Sequence, residues 1–296
     1  NRWAVRSRCS CCSPSPPAAW WLQCLAGERR AMRERGRVAK TVLVLVLLVL
    51  YAPLVFLVVA SFNKNPASTQ WQGFTTQWYR KAFDDVSLRR SVGVSIRLAA
   101  LASLGAVAAG TLAAIAARRS RWLGRVNTLF ATVRVATPEI IIATGLGAVL
   151  PVIGIAFGFR PMLVAHVAYL SAYVLLIVGA RAAGADRNLE EAALDLGATK
   201  WQVLRDIVLP DLRPAIVSSA LLAFAFSFDD VALSLALRGP TDTTVPIYIF
   251  SAVQRRVTPS IHAIGALIIA VGVVTFLAAT VVHRAVAGGD ARVRAR

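Results

Sequence analysis

Between residues 41 and 282 the chain returns repeatedly to apolar runs of spanning length, about 20 residues for a helix that crosses the hydrocarbon of a bilayer. Inside lipid every backbone polar group must be satisfied within the segment, so a chain of this pattern builds membrane helices. The runs are Thr41–Phe62, Ser91–Ala117, Val126–Leu150, Pro161–Ala180, Arg213–Leu237 and Ile261–Val282. The first is too long for a signal peptide and lacks a small-residue cleavage site. The expected fold class is an all-α polytopic membrane protein with six transmembrane helices and both termini on one side. A mean hydropathy of +0.61 and a hydrophobic share of 57% argue against a water-soluble domain.

The formal charge of +18 raises nucleic acid as a partner, but no basic stripe interleaved with aromatics occurs. The basic residues flank apolar runs instead. Arg118, Arg119, Arg121 and Arg125 crowd one short connection, whereas Pro151–Arg160 holds only Arg160, and Arg284, Arg292, Arg294 and Arg296 follow the last run. By the positive-inside rule the N-terminus, the 118–125 and 181–213 loops and the C-terminal tail lie in the cytoplasm.

Residues 1–31 differ from the rest, mixing Arg, Trp, Ser and Pro with all four cysteines, Cys9, Cys11, Cys12 and Cys24. Their spacing is not a zinc pattern, and no His lies nearby. Met32-Arg-Glu-Arg-Gly-Arg-Val-Ala-Lys40 is a more conventional opening, a basic stretch before an apolar run. The expectation is a non-native or disordered extension over 1–31 and a membrane domain over 32–296 that starts at Met32.

A polar island, residues 186–210, interrupts the apolar pattern on the cytoplasmic side. Asn188 with Glu191 predicts an N-cap and capping box, and Thr199 with Gln202 repeats the device. Gly197 stands where the first helix must stop, because glycine takes a left-handed conformation without a Cβ penalty. Trp201, Leu204, Ile207 and Val208 predict one apolar face for a second helix, with Pro210 ending it or opening the next element.

Glu191-Ala192-Ala193, three residues, Gly197, nine residues, Ile207, one residue and Leu209-Pro210 resemble the EAA loop of ABC importer permeases at every signature position. The resemblance implies the type I ABC importer permease fold and a coupling role for Glu190, Glu191, Ala192, Ala193, Gly197, Ile207, Leu209 and Pro210. It implies as partners a homologous second permease subunit, two ATP-binding cassette ATPase subunits and a soluble substrate-binding protein, in a bacterial inner membrane. The chain itself would hold no cofactor and hydrolyse nothing, Mg-ATP residing on the ATPase. No GxxxxGK[ST] and no GxSxG occurs, in keeping with that division.

Further elements are similar to the spermidine and putrescine branch, and place the chain near its PotC-type permease subunit. These are Trp71-Gln-Gly-Phe74 with Trp78-Tyr79, then Ser227-Phe228-Asp229-Asp230-Val231, and Gly239-Pro240, Val245-Pro246, Ile249, Ser251-Ala252-Val253 and Val257-Thr258-Pro259. The resemblance implies that Trp71, Phe74, Trp78 and Tyr79 meet the binding protein. Read from their spacing alone, the same aromatics predict a helix at the headgroup level.

Ionisable residues inside a membrane are costly and usually have a partner or a task. Glu139, after Pro138 in the third run, and Asp229 and Asp230 in the fifth are the candidates for a cationic substrate's path. Helical neighbours point about 100° apart, so one aspartate is expected to line the path and the other to cap or pair. Arg134 departs from the branch's pattern and offers a partner for Glu139, Asp229 or Asp230. Arg255 and Arg256 also disfavour an approaching polycation. A same-fold permease for another solute, or an ATP-independent channel or ion-coupled carrier, is the alternative. His166, His262 and His283 lack any second ligand at metal spacing and are expected to be packing or interfacial residues. Small-residue patches such as Gly105–Gly110 and Gly145–Gly147 predict close helix approach.

Overall fold

The computed structural model describes residues 17–65, 70–255, 260–274 and 280. Two compact units are recognised, Asn1–Leu57 and Val58–Arg296. Helix α1 (Pro17–Ala60) carries a span-length apolar stretch over Ala39–Ala60, close to the expected first run. Residues 17–31 are its first turns, and residues 1–16, with Cys9, Cys11 and Cys12, lie outside the described residues.

In the second unit a loop leads to a short helix, α2 (Gln77–Asp84). The aromatic cluster expected as one headgroup helix is therefore split, since residues 71–73 form no helix and Phe74 bridges to Asn63. Gly73, at φ +114°, supplies the left-handed turn that allows this. Trp78 is buried, its indole N–H donating to the Asn63 carbonyl at 2.7 Å, and Phe62 stacks on Phe74 at 5.0 Å.

Helix α3 (Val86–Arg119) starts at Asp85, whose side chain accepts from the Ser87 and Leu88 amides at 2.8 and 3.0 Å. Its buried face is built of small residues, including Ser91, Ser95, Ala99, Ala102, Ser103, Ala106, Gly110 and Ala114. Spacings of three, four and seven put them on one stripe, and small residues let backbones approach. The stripe receives α6 (Phe159–Ala183): a Cβ on Gly110 would stand 2.7 Å from Val174 Cβ.

The third run is not one straight helix. Helices α4 (Arg121–Ala136) and α5 (Glu139–Val152) meet at 98°. Pro138 has no N–H to donate, and it forces Thr137 into the extended region, at φ −84° and ψ 121°. Glu139 is thus the first residue of a new helix rather than a mid-span residue.

After α6 come α7 (Arg187–Asp195) and α8 (Lys200–Val203), then a π-helical turn over Leu204–Val208 that runs into α9 (Leu209–Asp229). From Lys200 to Asp229 this forms one continuous helix, and Pro210, which has no N–H to donate to its ladder, follows directly on the π-helical turn. The second polar helix therefore does not end at Pro210. Trp201 is exposed, while Val203 and Val208 are buried. The fifth run breaks at Asp230–Val231, and α10 (Ala232–Leu237), α11 (Val245–Arg255) and α12 (Ser260–Val274) complete the described fold.

By length and composition four helices can cross a membrane, or five with the bent pair as one span. The expected six is not met on that criterion, because α12 is shorter over its described residues and 275–279 lie outside them. A core of alanine, valine and leucine from α3, α6 and α9 reaches Val203 and Val208 beneath the polar island. A second core joins Leu98, Ala143, Met162, Leu233 and Leu237. Large apolar side chains such as Leu104, Leu112, Ile140 and Val164 face outward, as suits lipid or a partner subunit.

Candidate functional site

The polar island folds as two short helices around a corner. Helix α7 is capped by Asp186, whose carboxylate accepts from the Asn188 amide at 2.9 Å, so the cap lies two residues before the expected Asn188. Gly197 adopts φ +88°, and the amides of Gly197 and Ala198 bond back to Leu194 and Ala193 at 2.9 and 3.0 Å. Thr199 and Gln202 form the expected capping box.

One ion pair ties the island to the bundle, and a second joins α6 to α9 just beyond it. Arg118 at the end of α3 holds Glu190 at 2.6 Å, and Arg181 at the end of α6 holds Asp211 at 2.6 Å. Ile207, Leu209 and Pro210 are partly buried, and Ile207 packs on the main core. Glu191, Ala192 and Gly197 remain exposed. So do Leu189, Trp201 and Leu196, the last at 90% exposure. Leu189 and Leu196 were not singled out by the sequence, and Trp201, expected on the apolar face of the second helix with Leu204, Ile207 and Val208, points away from the core instead. Glu190 and Glu191 also edge a hollow of about 180 Å³ with Arg118, Arg119 and Leu194.

The three intramembrane acids take different surroundings. The break after Asp229 frees the first amides of α10, and Asp230 caps them, accepting from Leu233 at 3.4 Å and Ser234 at 2.8 Å. The same carboxyl lies 3.3 Å from His166 Nε2, while His166 Nδ1 is 2.9 Å from Ser227 Oγ. His166 and Asp230 are both buried. Asp229 points the other way, opening on a groove of about 1190 Å³ walled by α3, α9 and α12. That wall is apolar apart from Asp229, Arg89 and a few hydroxyls, with Phe228, Val92 and Ile268 typical of it.

Glu139 accepts from the Tyr169 hydroxyl at 3.0 Å. Arg134 is buried, yet it forms no ion pair with Glu139, Asp229 or Asp230 among the described residues. Its guanidinium lies 3.4 Å over the Tyr169 ring and 5.8 Å from that of Tyr173. Tyr169 and Tyr173 were missed by the sequence reading, because nothing in a run of apolar residues marks which aromatic faces inward. No cluster of three or more His, Cys, Asp or Glu suited to a metal occurs among the described residues.

Among the aromatics of residues 71–79, Trp78 is spent inside the subunit and Tyr79 meets Ser61 Oγ at 2.6 Å. Trp71 and Phe74 stay exposed. The Tyr248 hydroxyl donates to Asp85 at 2.6 Å, clasping α11 to the start of α3. Burial pushes the Asp85 carboxyl up, but this bond and the Leu88 and Ser87 amides outweigh it and hold the group below the usual carboxylate range.

Residues 106–294 match the family model described as binding-protein-dependent transport system inner membrane component. The chain belongs to this family. Among curated relatives, it is 38% identical to the putrescine transport system permease protein PotI of Escherichia coli (strain K12), over 80% of this chain and 87% of the relative. It is 38% identical to the spermidine/putrescine transport system permease protein PotC of Haemophilus influenzae, over 74% and 86%, and 33% identical to PotC of Escherichia coli (strain K12), over 79% and 89%.

Among solved structures, a bacterial ABC transporter involved in alginate import superposes with a TM-score of 0.67 at 18% identity, covering 88% of this chain and 98% of that one. A chain of the MetNI methionine ABC transporter superposes at 0.55 and 15%, covering 67% and 95%. The fold is thus that of a type I ABC importer permease, and this chain is an inner-membrane permease subunit. At these identities the solved structures speak for the fold alone.

Proposed function

We propose that this permease is one of two homologous membrane subunits of an ATP-driven importer of polyamines, putrescine or spermidine. The observation that carries the substrate is the identity of 33–38% to permeases of putrescine and spermidine/putrescine systems, spread over 74–80% of the chain. The intramembrane acids agree with it. A polyamine carries several ammonium groups and no acid, and its path needs acceptors and negative charge, which Asp229 and Glu139 supply at partly open positions.

Both termini and the 186–210 island face the cytoplasm in this reading. An ATP-binding cassette subunit with Mg-ATP grips Leu189, Glu191, Leu196 and Trp201, and a second ATPase serves the partner permease. ATP-driven closure of the ATPases moves α7 and α8. The Arg118–Glu190 pair passes that motion to α3, and the unbroken helix from Lys200 to Asp229 passes it to the acids. A soluble binding protein delivers substrate to the outer surface at Trp71 and Phe74.

The test is uptake by the assembled transporter in proteoliposomes charged with ATP and binding protein. Putrescine or spermidine accumulates, neutral sugars and sulfonates do not, and Asp229→Asn lowers polyamine uptake roughly tenfold, the worth of a lost charge-assisted bond. A coupled transporter that accumulates neither polyamine overturns the substrate assignment, and undiminished uptake by Asp229→Asn removes that residue from the path.

A further inference from the structure

The corner between α4 and α5 does more than bend a span. It sets Arg134, in the last turn of α4, over the Tyr169 and Tyr173 rings of α6, and Glu139, in the first turn of α5, against the Tyr169 hydroxyl. Two tyrosine rings, 5.7 Å apart between centroids and tilted by 48°, and one carboxyl make a box with two aromatic faces and an acid. Aromatic faces attract cations through the ring quadrupole, and an entering cation favours the ionised form of a nearby carboxyl. Tyr173 leans edge-on against Phe226, at 5.4 Å and 77°, and Phe226 is exposed. Tyr169, Tyr173 and Glu139 are only partly buried, so the box opens outward from the helix packing.

Arg134 already fills that box, and it fits poorly. It is more than nine-tenths buried, yet among the described residues Nε and Nη2 have no hydrogen-bond partner, and its one acceptor there is the Thr137 carbonyl at 3.3 Å. A guanidinium has five donors and normally satisfies them in a fork. Here its hold rests on the tyrosine faces.

We propose that Tyr169, Tyr173 and Glu139 form a binding box for an alkylammonium group, and that Arg134 occupies it as a tethered competitor which a translocating cation displaces. The proposal deepens the reading of the chain as a cation importer and rests on it for the identity of the cargo. Arg134 then sets the affinity of the path: a weakly held internal cation keeps the box from trapping an amine that must leave again.

The experiment is calorimetric titration of the whole transporter, with both permeases and both ATPases in lipid nanodiscs. The probe is n-butylammonium chloride, with n-butanol and sodium chloride as matched controls. Removing a cation–aromatic competitor is worth roughly a three- to thirtyfold gain in affinity, so Arg134→Leu binds butylammonium about tenfold more tightly than the parent. The gain disappears when Tyr169→Leu is added, is absent for butanol, and is absent in Arg134→Lys, which restores a tethered cation. Where Arg134→Leu leaves too little complex, Arg134→Met keeps the side-chain length and takes its place.

Equal affinity in parent and variant, no detectable binding by the variant, a gain shared by butanol, or a gain that survives Tyr169→Leu overturns the proposal. Putrescine uptake by the same preparations separates the two readings. A tenfold gain in a transporter that moves no polyamine keeps the box and discards the cargo. Polyamine uptake without the gain discards the box alone.

Discussion

At the scale of single residues, the informative contrast is between neighbours. Asp229 and Asp230 differ by one position and by function: the helix ends between them, so one faces a groove and the other turns inward to cap α10 and meet His166. Asp230 leaves two amides and an imidazole without their acceptor when it is removed. Asp230→Ala is therefore expected to destabilise the subunit by about 1–3 kcal/mol, the cost of stranding buried donors, whereas Asp229→Ala leaves stability nearly unchanged. Thermal unfolding of the two purified variants checks this, and equal loss in both contradicts the division of labour. Arg134 follows the same logic: an arginine at that position invites an ion-pair reading, and the bend of its helix instead lays it on a tyrosine.

At the scale of elements, one end of the bundle is fastened through Asp85, which caps α3 and receives the Tyr248 hydroxyl from α11. Its folded pKa lies below its unfolded value. The stabilisation it provides is therefore present in full above the ordinary aspartate range near about 4, and it fades as pH falls through the lower folded value. Asp85→Asn is expected to lower the unfolding temperature at pH 7, with the gap to the parent closing as the pH drops toward about 3. A gap that does not change with pH removes the carboxylate from the fastening. The corner at Pro138 belongs to this scale too. The residue predicts a break, but the 98° comes from where α4 and α5 each find a packing partner, against α3 and α6 for one and α10 for the other.

At the scale of the whole molecule, the proposed coupling role makes the polar island a lever joined to the bundle by the Arg118–Glu190 pair and by its run into α9. Among the described residues Gly197 has nothing within 4 Å of where a Cβ would be, so the cost of replacing it is conformational and falls on the angle between α7 and α8. Gly197→Val is expected to leave membrane insertion intact while lowering substrate uptake at least about tenfold for a misdirected coupling surface. Glu191→Lys reverses an exposed charge on that surface and is expected to give the same separation. The readouts are uptake and binding-protein-stimulated ATP hydrolysis in one preparation, and full stimulation with full uptake in both variants places the coupling surface elsewhere.

Local chemistry was legible wherever one residue has one physical use. Glycine at the corner, the Thr199–Gln202 capping box and the apolar runs each carry their meaning in a few neighbours, because backbone conformation and hydrophobic length are short-range properties. Where two residues competed for one role, the chain alone could not choose: Asp186 displaced Asn188 as the cap, and Trp78 was drawn inward while Trp71 stayed outside. The tertiary structure decided everything that joins distant segments. His166 meets Asp230, Arg118 meets Glu190, and Tyr169 comes between Arg134 and Glu139. Those meetings depend on how far α3 and α6 can close on their small residues and on where the broken helices turn. Sequence by itself determined that the chain crosses a membrane and carries a bent polar island; packing determined which charges share a site, because burial and distance exist only once the helices are in place.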